Sequence, residues 1–274
     1  MGATKKYFKN QFQIQKFKFE YEDVSDFYLG CFQRSTSCIP LLLMRTLLFF
    51  GSVAIVVAAL VMNVERGRGG YWPIYLTNWG IFTMMICTGF AFIISLVASI
   101  KGSLGTEVSF RLPWYVTVYW VLYNAAISMA VFVTIFYWAF LSGARYSDEN
   151  QDSEFAPNKV LDIFIHAVNS VVMLLLLLTS RQPVYILHFY IAIIVPLVYM
   201  IFSVIYWAAG GLSPRGNPYI YAMLDWSRPG VALIAVALSA ALLIVVHILI
   251  SLLALGRDAL AKLYRKDKSF TFSQ

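Results

Sequence analysis

Charged residues are scarce in this sequence, and their scarcity decides its class. Only 13% of the residues are charged, against 60% hydrophobic and 16% aromatic. A soluble globular domain carries about a quarter charged residues, so this composition excludes one. The charges that are present sum to +7, and the basic residues cluster at the two ends of the chain. This pattern favours anionic lipid headgroups over nucleic acid as the partner, and it predicts an integral membrane protein.

Cysteines and catalytic motifs are equally sparse. The three cysteines, Cys31, Cys38 and Cys87, make neither a disulfide framework nor a metal-ligand cluster. Cys31 and Cys38 lie just before the first apolar run, where S-palmitoylation is one interpretation and free thiols are the more ordinary one. There is no P-loop, GxSxG or HExxH motif, and no Asn-x-Ser/Thr glycosylation site. We therefore expect no metal and no cofactor.

The chain is rich in long apolar runs. Each run is long enough for the roughly 20 residues that a membrane-spanning helix needs. The runs lie at about residues 40–62, 74–100, 114–141, 160–180, 184–209 and 229–255. The predicted fold class is all-α, a polytopic membrane protein with six transmembrane helices. This divides the chain into an N-terminal segment (1–39), a transmembrane domain (40–255) and a basic tail (256–274).

The distribution of Lys and Arg predicts the orientation in the membrane. The N-terminal tail, the second and fourth loops and the C-terminal tail carry 14 basic residues, and the alternate loops carry six. Because basic loops tend to stay in the cytoplasm, both termini are predicted to be cytoplasmic. The acidic third loop, with Asp148, Glu149, Asp152 and Glu154, then faces the outside or a lumen. Either the plasma membrane or an endomembrane fits this arrangement.

The fourth apolar segment carries a polar stripe. Asp162, His166, Asn169 and Met173 are spaced i, i+4, i+7 and i+11, which places them on one face of a helix. Ionisable side chains are costly in lipid, so the stripe has to face protein or water and is a candidate functional site. The alternative is structural: Asp162 suits the positive end of the helix dipole, and His166 is a satisfied packing residue.

Thr77, in the first turn of the second segment, lies at a depth similar to that of His166. If the two helices are neighbours, Thr77, His166 and Asp162 can act as nucleophile, base and orienting group in acyl transfer. Asn169 is the other candidate for the orienting role. The alternative for a threonine in a spanning helix is a hydrogen bond to the carbonyl four residues before it. Two further amides are candidate cavity-lining residues: Asn78 and Asn124.

The third segment has its own polar stripe of Thr117, Trp120, Asn124 and Ser128, which is typical of hydrogen bonds between helices. After the fifth segment, which Pro196 is expected to kink, comes a loop rich in Gly and Pro. Its aromatic and acidic residues lie on the same side as Asp162, so the loop is a candidate lid, with interfacial anchoring as the alternative. The candidate lid residues are Tyr219, Tyr221, Asp225 and Trp226.

Three ionisable residues near the predicted cytoplasmic ends of the segments are given ordinary roles. Arg45 lies about one turn inside the first segment, from where its long side chain can reach the headgroups. His188, at the start of the fifth segment, and His247, on the sixth, are interpreted as residues of the membrane interface.

Five short motifs stand out along the chain: Tyr71-Trp72-Pro73-Ile74-Tyr75-Leu76-Thr77-Asn78-Trp79-Gly80, Ile165-His166-Ala167-Val168-Asn169, Tyr206-Trp207-Ala208-Ala209-Gly210-Gly211, Gly216-Asn217-Pro218-Tyr219-Ile220-Tyr221 and Leu224-Asp225-Trp226. These motifs resemble those of the rolling stone family. The likeness in order and hydropathy covers most of residues 40–255. It implies a multipass plasma-membrane protein with a developmental or cell-surface role, as in the myoblast fusion with which the family was first associated.

A more distant resemblance, limited to Thr77 and His166, is to the androgen-induced membrane hydrolases. It implies that these two residues cleave fatty acid esters of hydroxy fatty acids, although Asn78-Trp79-Gly80 departs from the hydrolase pattern. Two functions therefore stay open. One is hydrolysis of a fatty acid ester by an intramembrane Thr/His site, and the other is a non-catalytic role in cell fusion or membrane organisation. Membrane lipids are expected partners in both.

Overall fold

The computed structural model describes residues 11–102, 112–142 and 159–267. Six helices in these ranges are long and apolar enough to cross a membrane, so the predicted all-α fold with six spanning helices is confirmed. The acidic third loop lies outside the described residues. The helices are α1 (Ile39–Glu65), α2 (Leu76–Lys101), α3 (Trp114–Phe136), α4 (Lys159–Thr179), α5 (Phe189–Ala208) and α6 (Pro229–Asp267).

Helix α3 lies at the centre of the bundle and packs against α2, α4, α5 and α6. Its buried surface includes a run of small residues, which lets neighbouring backbones approach closely. These residues are Ala125, Ala126, Ser128 and Ala130. Helix α1 packs mainly on α2 and lies further from this centre.

Two helices contain a turn of π-helix at the same end of the bundle. Helix α3 continues beyond Phe136 as a π turn, Tyr137–Leu141, and α4 is interrupted by a second one, Phe164–Val168. A π turn accommodates one extra residue and is often found where a side chain has a function. The helical period of about 3.6 residues per turn, on which the polar stripe of the fourth segment was predicted, does not reveal either π turn.

The end of the bundle at which α1 begins is closed by the N-terminal segment. The 3₁₀ turn Val24–Phe27 inserts Phe27, which is fully buried, against Trp120 of α3. Arg45 is fully buried as well and donates to the Phe27 carbonyl at 2.8 Å. The interpretation of Arg45 as a side chain that reaches the headgroups is wrong, because protein oxygens surround its guanidinium. Residues 11–38 are thus packed onto the helical bundle.

The two histidines near this end are also core residues, which corrects their assignment to the membrane interface. His247 is fully buried, with Nε2 at 3.0 Å from the Tyr185 carbonyl and Nδ1 at 3.2 Å from Ser128 Oγ. His188 is fully buried too, and its ring stacks on Phe19 at a centroid distance of 4.2 Å. Hydropathy cannot distinguish such buried histidines from interfacial ones.

Helix α6 continues beyond residue 255, where the basic tail was expected to begin, and reaches Asp267, the last residue that the structure describes. Arg257, in this extension, is buried and donates to the carbonyls of Leu177 at 2.9 Å and Gln182 at 3.1 Å. The extension therefore caps the end of α4, whose last carbonyls have no partner within their own helix.

Candidate functional site

Thr77 and His166 meet between α2 and α4. Thr77 Oγ1 lies 3.3 Å from His166 Nε2, and the histidine is almost fully buried. Thr77 is in the first turn of α2, which begins at Leu76 after a 3₁₀ turn that contains Pro73. The carbonyl four residues before Thr77 is that of Pro73, and it accepts the indole N–H of Trp79 at 2.7 Å.

Five other threonines in the helices behave differently from Thr77. Each of them donates its hydroxyl to the carbonyl four residues earlier, which is the ordinary structural role of threonine in a spanning helix. They are Thr46, Thr83, Thr88, Thr134 and Thr179. The contrast favours a hydroxyl at Thr77 that is directed at the histidine rather than at its own helix.

Asp162 lies behind His166, on the side away from Thr77. His166 Nδ1 is 3.1 Å from Asp162 Oδ1 and 3.0 Å from the Asp162 backbone oxygen. Both neighbours of Nδ1 are acceptors, so a neutral ring carries its proton on Nδ1. Nε2 is then the acceptor for the Thr77 hydroxyl. The arrangement is a hydroxyl, an imidazole and a carboxylate in line, which is the geometry that activates a nucleophile.

Tyr137, from the π turn of α3, completes the site. Its hydroxyl is 2.7 Å from each carboxylate oxygen of Asp162, and its ring stacks on His166 at 3.5 Å with an interplanar angle of 10°. Tyr137 thus holds both the carboxylate and the imidazole in place. The sequence did not predict this role, because nothing in the spacing of polar residues distinguishes Tyr137 among the 17 tyrosines of the chain.

A cavity opens on the Thr77 side of this chain of groups. Its empty volume is about 930 Å³, mouth included, and Thr77 and Tyr137 are part of its wall. The rest of the wall is almost entirely apolar and comes from Leu76 of α2, from α3, α5 and α6, and from the loop before α6. His166 and Asp162 do not line the cavity, so of these three residues a molecule inside it contacts Thr77.

Comparison with known proteins gives the family. A model of the family described as Protein rolling stone matches residues 2–274. The chain belongs to the rolling stone family. Protein rolling stone of Drosophila melanogaster is 30% identical over 234 residues, which cover 82% of this chain and 80% of that protein. No solved structure matches the chain.

The family membership predicted from the motifs is thereby confirmed. The family and the six apolar helices together show that the chain is a multipass membrane protein. The more distant likeness to androgen-induced hydrolases stays a prediction.

The three asparagines that were predicted to belong to the site do not line its cavity. Asn169 is buried, but its Oδ1 accepts the Ser170 N–H at 2.7 Å and does not orient His166. Asn78 donates to the Trp72 carbonyl at 2.6 Å, which ties α2 to the turn before it. Asn124 donates to the Trp120 carbonyl at 2.7 Å in α3. None of the three lines the cavity.

The candidate lid, the loop before α6, contributes one of its four predicted residues to the cavity wall. That residue is Tyr221, whose hydroxyl accepts the Leu76 N–H at 3.1 Å and so also supports the start of α2. Trp226 anchors the loop by donating to Ser203 Oγ at 3.1 Å. The Ser227 hydroxyl, which donates to Asp225 at 2.7 Å, holds the pKa of Asp225 below its usual value. Tyr219 is half-buried and lies outside the wall.

Both juxtamembrane thiols are enclosed by the fold. Cys31 is 1% exposed and Cys38 is 7% exposed, and burial raises the pKa of each thiol. Because the thiolate is the reactive form, palmitoylation at either position would require the N-terminal segment to open first.

Proposed function

We propose that this rolling stone protein hydrolyses long-chain fatty acid esters in the membrane, with Thr77 as nucleophile, His166 as general base and Asp162 as the orienting group. The observation that carries the proposal is the in-line contact of these three residues, of which Thr77 is part of the wall of an apolar cavity. A hydroxyl is a poor nucleophile at neutral pH, and an adjacent base is what activates it.

The reaction follows from these contacts. Thr77 Oγ1 attacks the ester carbonyl carbon, and its proton passes to His166 Nε2. The tetrahedral intermediate collapses as His166 returns that proton to the leaving alkoxide, which leaves an acyl-threonine. Water, deprotonated by His166, then releases the fatty acid and regenerates Thr77.

The first turn of α2 offers a donor for the negative charge of the intermediate. The N–H of Leu76 meets the Tyr221 hydroxyl at 3.1 Å, and the N–H groups of Asn78 and Trp79 meet the Tyr75 carbonyl at 3.0 and 3.3 Å. The N–H of Thr77 itself, next to the attacking oxygen, is the remaining one. At a helix start such N–H groups lack a carbonyl in their own helix, and they stabilise an oxyanion well.

The test is hydrolysis of a long-chain fatty ester by the purified full-length protein, followed as release of free fatty acid. We expect Thr77→Ala and His166→Ala each to abolish turnover, and the double variant to lose no more than either one, since members of one catalytic unit fail together. Thr83→Ala is the matched control, because Thr83 lies on the same helix and only donates to the Trp79 carbonyl.

Turnover that persists in Thr77→Ala would overturn the proposal, and so would a wild-type protein that cleaves no ester. In that case a non-catalytic role in cell fusion or membrane organisation, with the polar groups serving only to hold helices together, would take its place.

A further inference from the structure

The cavity beside Thr77 is elongated along the bundle. On α3 its wall runs from Leu141 down to Phe132, a rise of about 13 Å. On α6 it runs from Ala235 to Leu243, a rise of about 12 Å. Thr77, in the first turn of α2, and Leu141, at the end of α3, therefore lie near one end of this apolar slot, whose other end lies towards the middle of the membrane.

The two long walls differ in the size of their side chains. Helix α3 contributes the rings of Phe132 and Phe136, whereas α6 contributes the small residues Ala235, Ser239 and Ala240. The space in the slot exists because α6 has small side chains where it faces these rings. Leu243, which is 1% exposed, closes the deep end.

The slot also reaches the outer surface of the bundle. Leu197 of α5 belongs to its wall and is 48% exposed. In a membrane-spanning protein that surface faces lipid, so a molecule dissolved in the bilayer can enter sideways. A narrow apolar slot with one polar end, entered from lipid, fits a single hydrocarbon chain that carries a polar carbonyl.

We propose that the slot binds one acyl chain, with its carbonyl at Thr77 and its methyl end towards Leu243, and that Ala240 sets the chain length accepted. The position of the carbonyl rests on the proposed function, whereas the binding of the chain does not require turnover. Ala240 lies about 7.5 Å below Ala235, so a larger side chain there blocks the deep half and leaves the half next to Thr77 open.

The experiment measures binding separately from hydrolysis. The full-length protein in phospholipid nanodiscs is photolabelled with a palmitic acid that carries a diazirine in its distal half and an alkyne, and the labelled peptides are mapped by mass spectrometry. We expect the label on the α6 segment that ends at Leu243. Ala240→Phe should reduce this labelling by roughly tenfold, which corresponds to about 1.4 kcal/mol of binding free energy.

Ala241→Phe is the matched control, because Ala241 is the next residue on the same helix, is exposed and does not line the slot. It should leave the labelling within about twofold of wild type, a difference well under 1 kcal/mol. If Ala240→Phe yields no folded protein, Ala240→Leu makes the same test with a smaller side chain.

A second measurement compares hydrolysis of hexanoyl and palmitoyl esters. Ala240→Phe should lower the palmitoyl rate far more than the hexanoyl rate. If the labelling pattern holds but the wild type cleaves no ester, the acyl slot stands and the hydrolase proposal fails. If the wild type cleaves esters but Ala240→Phe labels as well as Ala241→Phe, or favours no chain length, the acyl slot is refuted and the hydrolase proposal stands.

Discussion

At the scale of single residues, the position of His166 Nδ1 decides how the site responds to mutation. Two acceptors from the same residue face this nitrogen: the Asp162 carboxylate at 3.1 Å and the Asp162 backbone oxygen at 3.0 Å. In a serine protease triad the aspartate side chain maintains the tautomer, and its loss costs about 10⁴-fold in kcat. Here a backbone carbonyl shares that role, and side-chain substitution cannot remove it.

We therefore predict that Asp162→Asn and Asp162→Ala lower kcat for ester hydrolysis by roughly tenfold to a hundredfold, well short of the loss in His166→Ala. The KM should stay close to wild type, because Asp162 does not line the cavity. Steady-state kinetics on purified protein provide the measurement. Complete inactivation by Asp162→Ala in a folded protein would mean that the carbonyl does not hold the ring.

The sequence predicted this site only in part, for a physical reason. Helical period places Asp162 and His166 on one face, and equal depth brings Thr77 near them, so these three could be named in advance. The contacts of Tyr137 and Arg45 depend on which helices are neighbours, and no single-helix pattern contains that information. The position of Arg45 in the sequence predicts a side chain at the headgroups, whereas in the structure the N-terminal segment covers it.

At the scale of elements, two π turns create the site. Tyr137 begins one and His166 lies within the other, and their rings stack across the boundary between α3 and α4. A regular α-helix at either place would rotate the following residues by about 100° for each residue removed. Helix existence and type were predictable from apolar length, whereas the π turns and the extension of α6 to Asp267 were not.

Arg45 joins five elements at the opposite end, since it also donates to the Tyr119 hydroxyl of α3 at 3.5 Å. Besides the Phe27 carbonyl of the N-terminal segment, it donates from α1 to the Ala91 carbonyl at 3.1 Å and Ser95 Oγ at 2.8 Å in α2, and to Ser180 Oγ at 3.3 Å just after α4. Hydrogen bonds to a charged group contribute about 1.5–3 kcal/mol each. Arg45 is thus one of the side chains that hold the N-terminal segment on the bundle, together with Arg181, which donates to the Gly30 and Gln33 carbonyls.

We predict that Arg45→Met loosens this segment and exposes Cys31, which is 1% exposed in the folded protein. Loss of one such hydrogen bond should speed maleimide labelling of Cys31 by about tenfold or more. Mass spectrometry distinguishes Cys31 from Cys38 and from Cys87 in the core. Arg228→Met, at an exposed position, is the control and should label at the wild-type rate. An unchanged rate in Arg45→Met would show that other contacts suffice.

At the scale of the whole molecule, the two ends of the bundle have different tasks. The end at which α1 begins is closed, with Arg45, Arg257, His188 and His247 all buried among protein groups. The other end holds Thr77, the imidazole–carboxylate pair and the mouth of the acyl slot. The buried polar contacts that join the N-terminal segment to the bundle and the candidate catalytic site thus lie at opposite ends of the bundle. The orientation of the bundle in the membrane therefore decides which leaflet supplies a substrate.

The basic residues predict that the Thr77 end faces away from the cytosol, because the loops on the opposite side carry 14 of them against six. Epitope tags at Gly2, at Asn150 and after Gln274 test this in intact and permeabilised cells. Only the tag at Asn150 should stain without permeabilisation, and the two terminal tags should behave alike, since six spans return the chain to the side on which it began. Staining of the terminal tags alone would reverse the orientation and direct the site to the cytosolic leaflet. If one terminal tag stained without the other, the number of spans in the membrane would not be six.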